Sequence, residues 1–264
     1  MANSIEIVVI SLEKAVERRQ MILGQFSGLT IPWSFFDAQT CLANPALSYD
    51  EPHIRRKFGR TLSVPELAVW SSHFSVIQRF LEQGQTDYLL VFEDDVIFDA
   101  SFPLRAVVDL CEAKAIHYIR LFGMYYADAV RLGFFYDRSI IRYKSSPAGA
   151  QAYVISKEGA RRLVASMTSV EATVDLEMDH FWKTGLPIYA VFPFPVIERF
   201  SSTSIPMHQP GGLSGGEKRA WLYNRARRRL SKMRENRRLL DADAEFRKSS
   251  MVFKQIQDAD LQES

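Results

Sequence analysis

Residues 88–95 read Tyr88-Leu89-Leu90-Val91-Phe92-Glu93-Asp94-Asp95, so an apolar run ends abruptly in three carboxylates. The run has the length and composition of a strand that is buried on both faces of a sheet. In open α/β sheets, ligands bind beyond the carboxyl ends of the strands, which is where these carboxylates would lie. The stretch therefore predicts a central strand with a polar site at its end.

Similar apolar runs lie before and after this stretch, and segments of helix-forming composition separate them. The expected strands are 5–12, 33–36, 88–92, 117–122, 152–155 and 188–192. The expected helices are 13–26, one from Ser63 to about residue 81, one begun by Ser156, and one near 175–183. Strands that alternate with helices predict an α/β fold with a mostly parallel central sheet flanked by helices.

The connection 40–62 carries Asn44-Pro45 and Glu51-Pro52 and is expected to be a long loop. A loop of that length is often functional. It ends at Ser63-Val64-Pro65-Glu66, which has a serine cap, a proline in the first turn and a glutamate three residues after the cap. This pattern predicts the start of a helix.

Residues 211–264 differ in character from residues 1–210, and we expect a single catalytic domain followed by a basic helical extension. One apolar stripe is expected on the helix, formed by Leu222, Ala226, Leu230, Met233 and Leu240, with eight arginines and lysines between residues 225 and 238 on the other faces. Such a helix either docks on the domain through its stripe or lies at an anionic membrane surface. The sequence leaves both alternatives open.

Composition restricts the functional classes. The 264 residues carry a formal charge of only +2, so nucleic acid is not an expected partner. Cys41 and Cys111 show no metal-ligand spacing, which fits a reducing compartment or two inert buried thiols. The N-terminal run resembles a first strand rather than a signal peptide, and no apolar run is long enough to span a membrane. We therefore expect a cytoplasmic protein, with any membrane contact peripheral and at the inner face.

The carboxylates at the end of the 88–92 strand predict a metal site. Strand alternation would place Glu93 and Asp95 on one side and Asp94 on the other. Two like charges roughly 4 Å apart repel by about 4 kcal/mol at an effective dielectric of about 20. A divalent cation removes that cost, and oxygen ligands suit Mg²⁺ or Mn²⁺ completed by a diphosphate. The alternative is a solvated acidic turn.

Several ordered segments resemble glycosyltransferase family 25, which includes bacterial lipopolysaccharide and lipooligosaccharide galactosyltransferases and is similar to the collagen galactosyltransferases. The segments are Val8-Val9-Ile10-Ser11-Leu12 with Arg18-Arg19, Phe36-Asp37-Ala38, Glu66-Leu67-Ala68-Val69-Trp70-Ser71-Ser72-His73, Leu90-Val91-Phe92-Glu93-Asp94-Asp95-Val96 and Gly149-Ala150-Gln151-Ala152-Tyr153-Val154-Ile155-Ser156. The resemblance covers about residues 5–205. The chain departs from the family pattern at Ser11, where asparagine is usual, and at Ala68-Val69, where glycine and cysteine are usual.

The resemblance implies a GT-A-like fold, a UDP-sugar donor and a glycan or glycolipid acceptor. It implies donor-site roles for Ser11, Leu12, Arg18, Asp37, Ala38, Glu93, Asp94 and Gln151. It also implies that Glu93 and Asp95 hold Mn²⁺ or Mg²⁺ against the diphosphate. A metal in that place stabilises the charge that builds on the departing UDP.

An inverting transfer requires a base that takes the proton of the acceptor hydroxyl. Asp175 and Asp179 are four residues apart and would share a helical face, and the pair is expected to contain the base. Asp175 falls where the family has a Val-Asp motif, although it could instead cap its helix.

Two histidines have open assignments. His73 is either a buried, hydrogen-bonded core residue or a supporting group beside the acidic cluster. His208 is either an exposed loop residue or a further ligand of the metal or the diphosphate.

The sequence therefore predicts a metal-dependent inverting transferase that moves a hexose, galactose by the resemblance, from a UDP-sugar to a lipopolysaccharide or other surface-glycan precursor. Two other classes remain: a divalent-metal enzyme of phosphoryl transfer or hydrolysis, and an inactive module that binds nucleotide sugar or glycan. Against the phosphoryl-transfer or hydrolytic class, the sequence has no Walker-type loop and no second acidic cluster.

Overall fold

The computed structural model describes residues 4–199 and 212–260, and the side chains up to residue 249. The strands are β1 (Ile5–Ser11), β2 (Trp33–Asp37), β3 (Tyr88–Glu93), β4 (Val96–Phe98), β5 (Tyr118–Arg120), β6 (Ala129–Phe135), β7 (Arg138–Tyr143), β8 (Ala152–Ser156), β9 (Tyr189–Phe192) and β10 (Val196–Glu198). The helices are α1 (Val16–Phe26), α2 (Glu51–Phe58), α3 (Val64–Gln83), α4 (Leu104–Ala113), α5 (Lys157–Ser166), α6 (Val174–Met178), α7 (Phe181–Thr184) and α8 (Gly215–Asp260). Each of the six expected strands is present.

Eight strands form one sheet in the order β2-β1-β3-β8-β5-β9-β7-β6. The pairs β2–β1, β1–β3 and β5–β9 are parallel, and the other four pairs are antiparallel. Only β7 and β8 consequently run against the direction that the remaining six strands share. The α/β class and the mostly parallel central sheet are confirmed. The short strands β4 and β10 pair separately.

Two hydrophobic cores cover the two faces of the sheet. On one face, Val9 and Phe92 pack with Ile22 of α1 and Val107 of α4. On the other, Val8 and Val91 pack with residues of α3, α5, α6 and α7. Burial on both faces explains why β1 and β3 are continuous apolar runs instead of alternating ones.

The helix predicted to start at Ser63 is confirmed. The Ser63 side chain accepts a hydrogen bond from the Glu66 backbone N–H, and the Glu66 carboxylate accepts one from the Ser63 backbone N–H. The prediction for the preceding connection is wrong, because α2 lies within it. Asp50 caps α2 and Pro52 occupies its first turn, where proline needs no hydrogen-bond partner. Glu51-Pro52 therefore marks the start of a helix and not a loop.

The helix α8 packs on the domain, but not through the apolar stripe, so the first of the two alternatives is wrong. Leu222, Leu230, Met233 and Leu240 are between 47% and 56% exposed. The packing face is instead largely polar. Its members include Trp221, Asn224, Arg228, Asn236, Asp243 and Phe246, which contact α2, β6, β7, β9 or the loop after β7.

Buried charge holds this interface. Arg142 of β7 donates from Nε and Nη2 to the two carboxylate oxygens of Asp243, each at 2.7 Å, and both side chains are almost fully buried. Nη1 of Arg142 donates to the side-chain oxygen of Asn236 at 2.8 Å. The apolar pattern of the sequence does not indicate this packing face, because an ion pair and hydrogen bonds satisfy its buried groups. The domain division at residue 210 stays a prediction.

Gly59, which ends α2, shows how closely α8 approaches. Its φ of +97° lies in the left-handed region, and a Cβ added there would lie 2.8 Å from the indole nitrogen of Trp221. The same indole N–H donates to the Phe58 carbonyl at 3.1 Å. The end of α2 therefore forms part of the seat for α8.

Candidate active site

The carboxyl ends of β1, β2 and β3 meet at one edge of the sheet. Ser11 is opposite Asp37 in the β1–β2 register, and Ile10 is opposite Glu93 in the β1–β3 register. These ends bring together the predicted donor-site residues of three separate segments, as the parallel arrangement requires.

Ser11 connects the three strand ends. Its carbonyl accepts hydrogen bonds from the Ala38 backbone N–H at 2.8 Å and from Arg19 at 3.0 Å. Its hydroxyl lies 2.6 Å from Oδ2 of Asp94 and accepts from Nε of Arg19 at 3.2 Å. The hydroxyl also lies 3.3 Å from the Leu12 carbonyl, which accepts the Ala15 N–H. Ser11 therefore performs a structural task here, although asparagine is usual at this position in the family that the sequence resembles.

Two arginines of α1 complete this edge. Nη1 of Arg18 lies 3.0 Å from Oδ1 of Asp94 and 3.9 Å from Oδ2 of Asp95. Arg19 was not among the predicted site residues, although it stands beside Arg18. It pairs with Asp37, the last residue of β2, whose side chain is 69% exposed. The adjacent pair of arginines was the available signal for it.

The acidic cluster lies partly in the turn that follows β3. The strand ends at Glu93, so side-chain alternation does not extend to Asp94 and Asp95. Arg18 contacts both aspartates, and the prediction that they lie on opposite sides is wrong for that reason. Burial raises the pKa of Asp94 above its ordinary value, and the Ser11 hydrogen bond and Arg18 oppose that rise.

Asp95 differs from its neighbours in having an unsatisfied buried oxygen. Its Oδ1 has no hydrogen-bond partner among the described residues. Burial, followed by the nearby charges of Glu93, Asp94 and Glu198, raises the pKa of Asp95 to about 7. Glu198 comes from β10, and burial and Glu93 raise its pKa also. No local pattern in the sequence indicates Glu198, because the pairing of β10 with β4 brings it here across about a hundred residues.

Glu93 is oriented by His73 of α3. The His73 Nε2 lies 3.2 Å from Oε1 of Glu93, and its Nδ1 lies 3.2 Å from the Tyr153 hydroxyl. The tautomer with the proton on Nε2 satisfies both contacts, since it donates to the carboxylate and accepts from the phenol. His73 is fully buried, so it is both a core residue and a support for the acidic cluster.

The residues of this cluster fit a divalent cation that a substrate completes. Within residues 4–199 and 212–260, no three His, Cys, Asp or Glu side chains are grouped closely enough to hold an ion alone. Asp95 nevertheless offers an unpartnered oxygen, and Glu93 is close enough to raise its pKa. Mg²⁺ is commonly bound by one or two carboxylates together with substrate phosphates. His208 lies outside the described residues.

Asp175 is linked to the acidic cluster through the turn at Gly149. Oδ2 of Asp175 accepts the Gly149 backbone N–H at 2.7 Å, and the Gln151 carbonyl accepts the Glu93 N–H at 2.8 Å. The Gln151 side-chain oxygen is buried and has no hydrogen-bond partner in the described part of the chain. Asp175 does not cap its helix, since Thr173 holds that position.

Asp179 has a different environment. Nη1 of Arg120 lies 2.7 Å from both of its carboxylate oxygens, and the Ser146 hydroxyl donates to it at 2.6 Å. Burial would lower the pKa of Arg120, but the Asp179 carboxylate keeps that pKa above its ordinary value. The expected helix near residues 175–183 is broken into α6 and α7, and Asp179 ends α6 with its backbone N–H donating to the Asp175 carbonyl at 3.2 Å, so the two aspartates still lie one helical turn apart. The geometry favours Asp175 as the base, and the assignment stays a prediction.

Comparison with known proteins identifies the family of this chain. The model of glycosyltransferase family 25 (LPS biosynthesis protein) matches residues 4–182. The lipooligosaccharide biosynthesis protein lic2B of Haemophilus influenzae is 28% identical over 179 residues, which are 65% of this chain and 66% of that protein. The lacto-N-neotetraose biosynthesis glycosyltransferase LgtE of Neisseria gonorrhoeae is 30% identical over 208 residues, 70% of this chain and 71% of that protein.

A third relative is the probable inactive glycosyltransferase 25 family member 3 of Bos taurus. It is 24% identical over 216 residues, which are 71% of this chain and 36% of that protein. Among solved structures, a glycosyltransferase involved in glycosylation of the major capsid of PBCV-1 overlaps 75% of this chain and 96% of its own, with 12% identity and a TM-score of 0.41. That overlap is partial, so family membership rests on the sequence match. Because the family model covers more than half of the chain, this protein belongs to glycosyltransferase family 25.

Proposed function

We propose that this protein transfers a hexose, galactose in the first instance, from a UDP-sugar to a hydroxyl of a lipopolysaccharide or other surface-glycan precursor. One observation carries the proposal: a buried, unpartnered oxygen of Asp95 lies at the carboxyl ends of three parallel strands, where Ser11, Asp37 and Ala38 also meet. The names of the bacterial relatives support a surface glycan as the acceptor. The galactose assignment rests on the family resemblance.

In this proposal the donor lies along the ends of β1, β2 and β3. The exposed carboxylate of Asp37 is available to hydroxyl or N–H donors of the nucleoside. Glu93 and Asp95 would hold Mn²⁺ or Mg²⁺, which would supply positive charge near the diphosphate of the donor. Arg18 provides a further cation at the same place, since its guanidinium already spans Asp94 and Asp95.

Asp175 takes the proton of the acceptor hydroxyl as that oxygen attacks the anomeric carbon with inversion. Asp175 is only partly buried and its carboxylate keeps one oxygen free of the Gly149 N–H, so it can accept a proton. Asp179 cannot do so without leaving the buried Arg120 unpaired.

The test is a donor screen that measures UDP release from a panel of UDP-sugars with Mn²⁺, with and without acceptor glycans. We expect one UDP-hexose to give metal-dependent release that rises with acceptor. Tight binding of a UDP-sugar without turnover would identify an inactive binding module instead. Turnover that a chelator does not change would refute the metal-dependent mechanism.

We also propose that the protein acts in the cytoplasm, at the inner face of the membrane. No described helix is long and apolar enough to cross a bilayer. The outward face of α8 exposes the apolar residues Leu222, Leu230 and Leu240 among arginines. An apolar stripe flanked by basic residues suits an anionic lipid surface. Cys111 is a free, buried thiol and Cys41 is free and exposed, which fits a reducing compartment.

A further inference from the structure

The interface between α8 and the domain contains a cavity of about 620 Å³. Its walls come from α8 on one side and from α2, α6, α7 and the residue Ser146 on the other. Cavities of this size accommodate small molecules or one or two sugar units.

The α8 wall is strongly basic. It carries Arg225, Arg228, Arg229 and Lys232. In the described part of the chain, no carboxylate lies within ion-pair distance of any of the four. Arg228 donates to the Lys57 carbonyl, and Arg225 stacks on Trp221. Arg229 and Lys232 make no hydrogen bond or ion pair to any described residue.

Neighbouring acids offset this charge only in part. Glu171 and Glu177 act on Arg228 through space, but the carboxylates of both are already paired with Lys183. Partial burial lowers the pKa of Arg228, so this guanidinium is poorly hydrated and gains from an anionic partner. Four clustered cations without an internal counter-ion repel one another, and an anion bound among them would relieve that repulsion.

The opposite wall is apolar and aromatic. Phe58, Leu176 and Trp182 face the basic side chains across the cavity. Flat aromatic surfaces next to charge-assisted hydrogen-bond donors suit a ligand with an apolar face and an anionic substituent, which is the chemistry of an acidic or phosphorylated sugar. A free inorganic anion has no apolar face that could pack against this wall.

The cavity adjoins the proposed base through α6. Leu176 lines the cavity, and the preceding residue, Asp175, binds the Gly149 N–H beside the acidic cluster. Ser146, another lining residue, donates to Asp179. A saccharide held in the cavity would therefore lie against the helix that carries the base.

We propose that this cavity binds a phosphate or carboxylate substituent of the acceptor saccharide, and so positions the acceptor relative to Asp175. This inference rests on the proposed transferase function. It assigns Arg229 and Lys232 to recognition of the anion, and Trp182 and Phe58 to contact with the sugar face.

Isothermal titration of the full chain tests it with four probes at constant ionic strength: glucose 6-phosphate, glucuronate, glucose and inorganic phosphate. We expect one of the two charged sugars to bind more tightly than glucose or inorganic phosphate. The double variant Arg229→Gln/Lys232→Gln should weaken that binding by about tenfold or more. The matched control Arg227→Gln/Arg234→Gln removes the same charge from exposed positions of α8 and should bind as the wild type does.

Three results would overturn the proposal: neither charged sugar binds the wild type, both double variants lose binding equally, or inorganic phosphate binds as tightly as the sugars. Thermal melting of each variant confirms that it is folded. UDP release by the wild type, measured in parallel, separates this proposal from the proposed function. Sugar binding that depends on Arg229 and Lys232, in a protein that releases no UDP from any donor, would support the cavity and refute the transferase.

Discussion

The acidic edge of the sheet and the interface under α8 both contain buried charge, but the charge is fully paired only under α8. Under α8, Arg142 and Asp243 satisfy each other with two hydrogen bonds of 2.7 Å. At the sheet edge, Asp95 keeps an unpartnered oxygen and a pKa raised to about 7. A fully paired charge stabilises one conformation, whereas an unpaired one is available to a ligand. The contrast predicts that charge removal will lower stability under α8 and lower activity at the sheet edge.

The largest effect is expected at Asp95. Asp95→Asn removes charge from the proposed ion site at nearly constant volume, and should lower the rate of UDP release by about 10³-fold or more. Steady-state kinetics with saturating Mn²⁺ measure it. The control Asp109→Asn changes an exposed carboxylate of α4 and should keep the wild-type rate. Near-normal turnover by Asp95→Asn would show that the unpaired carboxylate is not needed for activity.

Asp175 and Asp179 repeat the contrast within one short segment. Asp175→Asn should lower kcat by about 10²- to 10⁴-fold while donor binding and the melting temperature are retained. Asp179→Asn should instead destabilise the fold by about 3–5 kcal/mol, because it leaves Arg120 buried and unpaired. Kinetics and urea unfolding of both variants separate the two roles. If Asp175→Asn turns over normally, the base lies elsewhere.

Removing one partner of the Arg142–Asp243 ion pair should lower the stability of the protein and leave its activity unchanged. Asp243→Asn leaves the Arg142 guanidinium buried without a counter-charge, and we expect the free energy of unfolding to fall by about 3–5 kcal/mol. Asp241→Asn, at an exposed position of the same helix, should change it by less than about 0.5 kcal/mol. Urea unfolding measures both, and equal effects would show that the pair does not hold α8.

The raised pKa of Asp95 predicts how stability depends on pH. The folded state binds a proton at the Asp95 carboxylate more tightly than the unfolded chain does, since the pKa of an aspartate in the unfolded chain is about 3.9. Stability should therefore fall as pH rises from about 4 to about 7 and then level off. In metal-free buffer at pH 8, Asp95→Asn should be more stable than the wild type by about 4 kcal/mol, because the pKa rises from about 3.9 to about 7 at about 1.4 kcal/mol for each pH unit. The difference should vanish near pH 4, and a constant difference across this range would contradict the raised pKa.

The smallest effect is expected at the outward face of α8, whose cations are exposed to solvent. The full chain should sediment with anionic vesicles at low salt and be released as salt rises. Leu230→Ser/Leu240→Ser should weaken binding by about 1 kcal/mol, while Val16→Ser/Leu23→Ser, at exposed positions of α1, should not. Binding that is absent at low salt, or equal in the two variants, would remove the membrane role.

The sequence predicted the strands and the acidic edge because both depend on local patterns. The apolar runs of β1 and β3 are continuous since helices cover both faces of the sheet, and parallel pairing then brings Ser11, Asp37 and Glu93 together. Ser63 and Glu66 gave an equally local signal for α3. The family membership was likewise predicted from ordered motifs.

The remaining features depend on contacts between distant segments. Nothing local in the sequence links Arg142 to Asp243, or Glu198 to Asp95. The apolar stripe of α8 suggested the wrong packing face, because an ion pair and hydrogen bonds replace hydrophobic contact there. Asp175 and Asp179 were indistinguishable until Arg120 was placed beside one of them.

The pairing of Arg142 with Asp243 also sets the order in which the newly made chain can mature. The two residues are 101 positions apart, and β7 lies inside a sheet whose strands are all made before α8. At synthesis rates of about 5–20 residues per second, the guanidinium of Arg142 waits roughly 5–20 s for its partner. Until then β7 carries an uncompensated charge and β6 lacks its covering helix. The half of the sheet that ends in β7 and β6 therefore becomes fully stable only after α8 has been made, whereas the half formed by β1, β2 and β3 does not depend on α8.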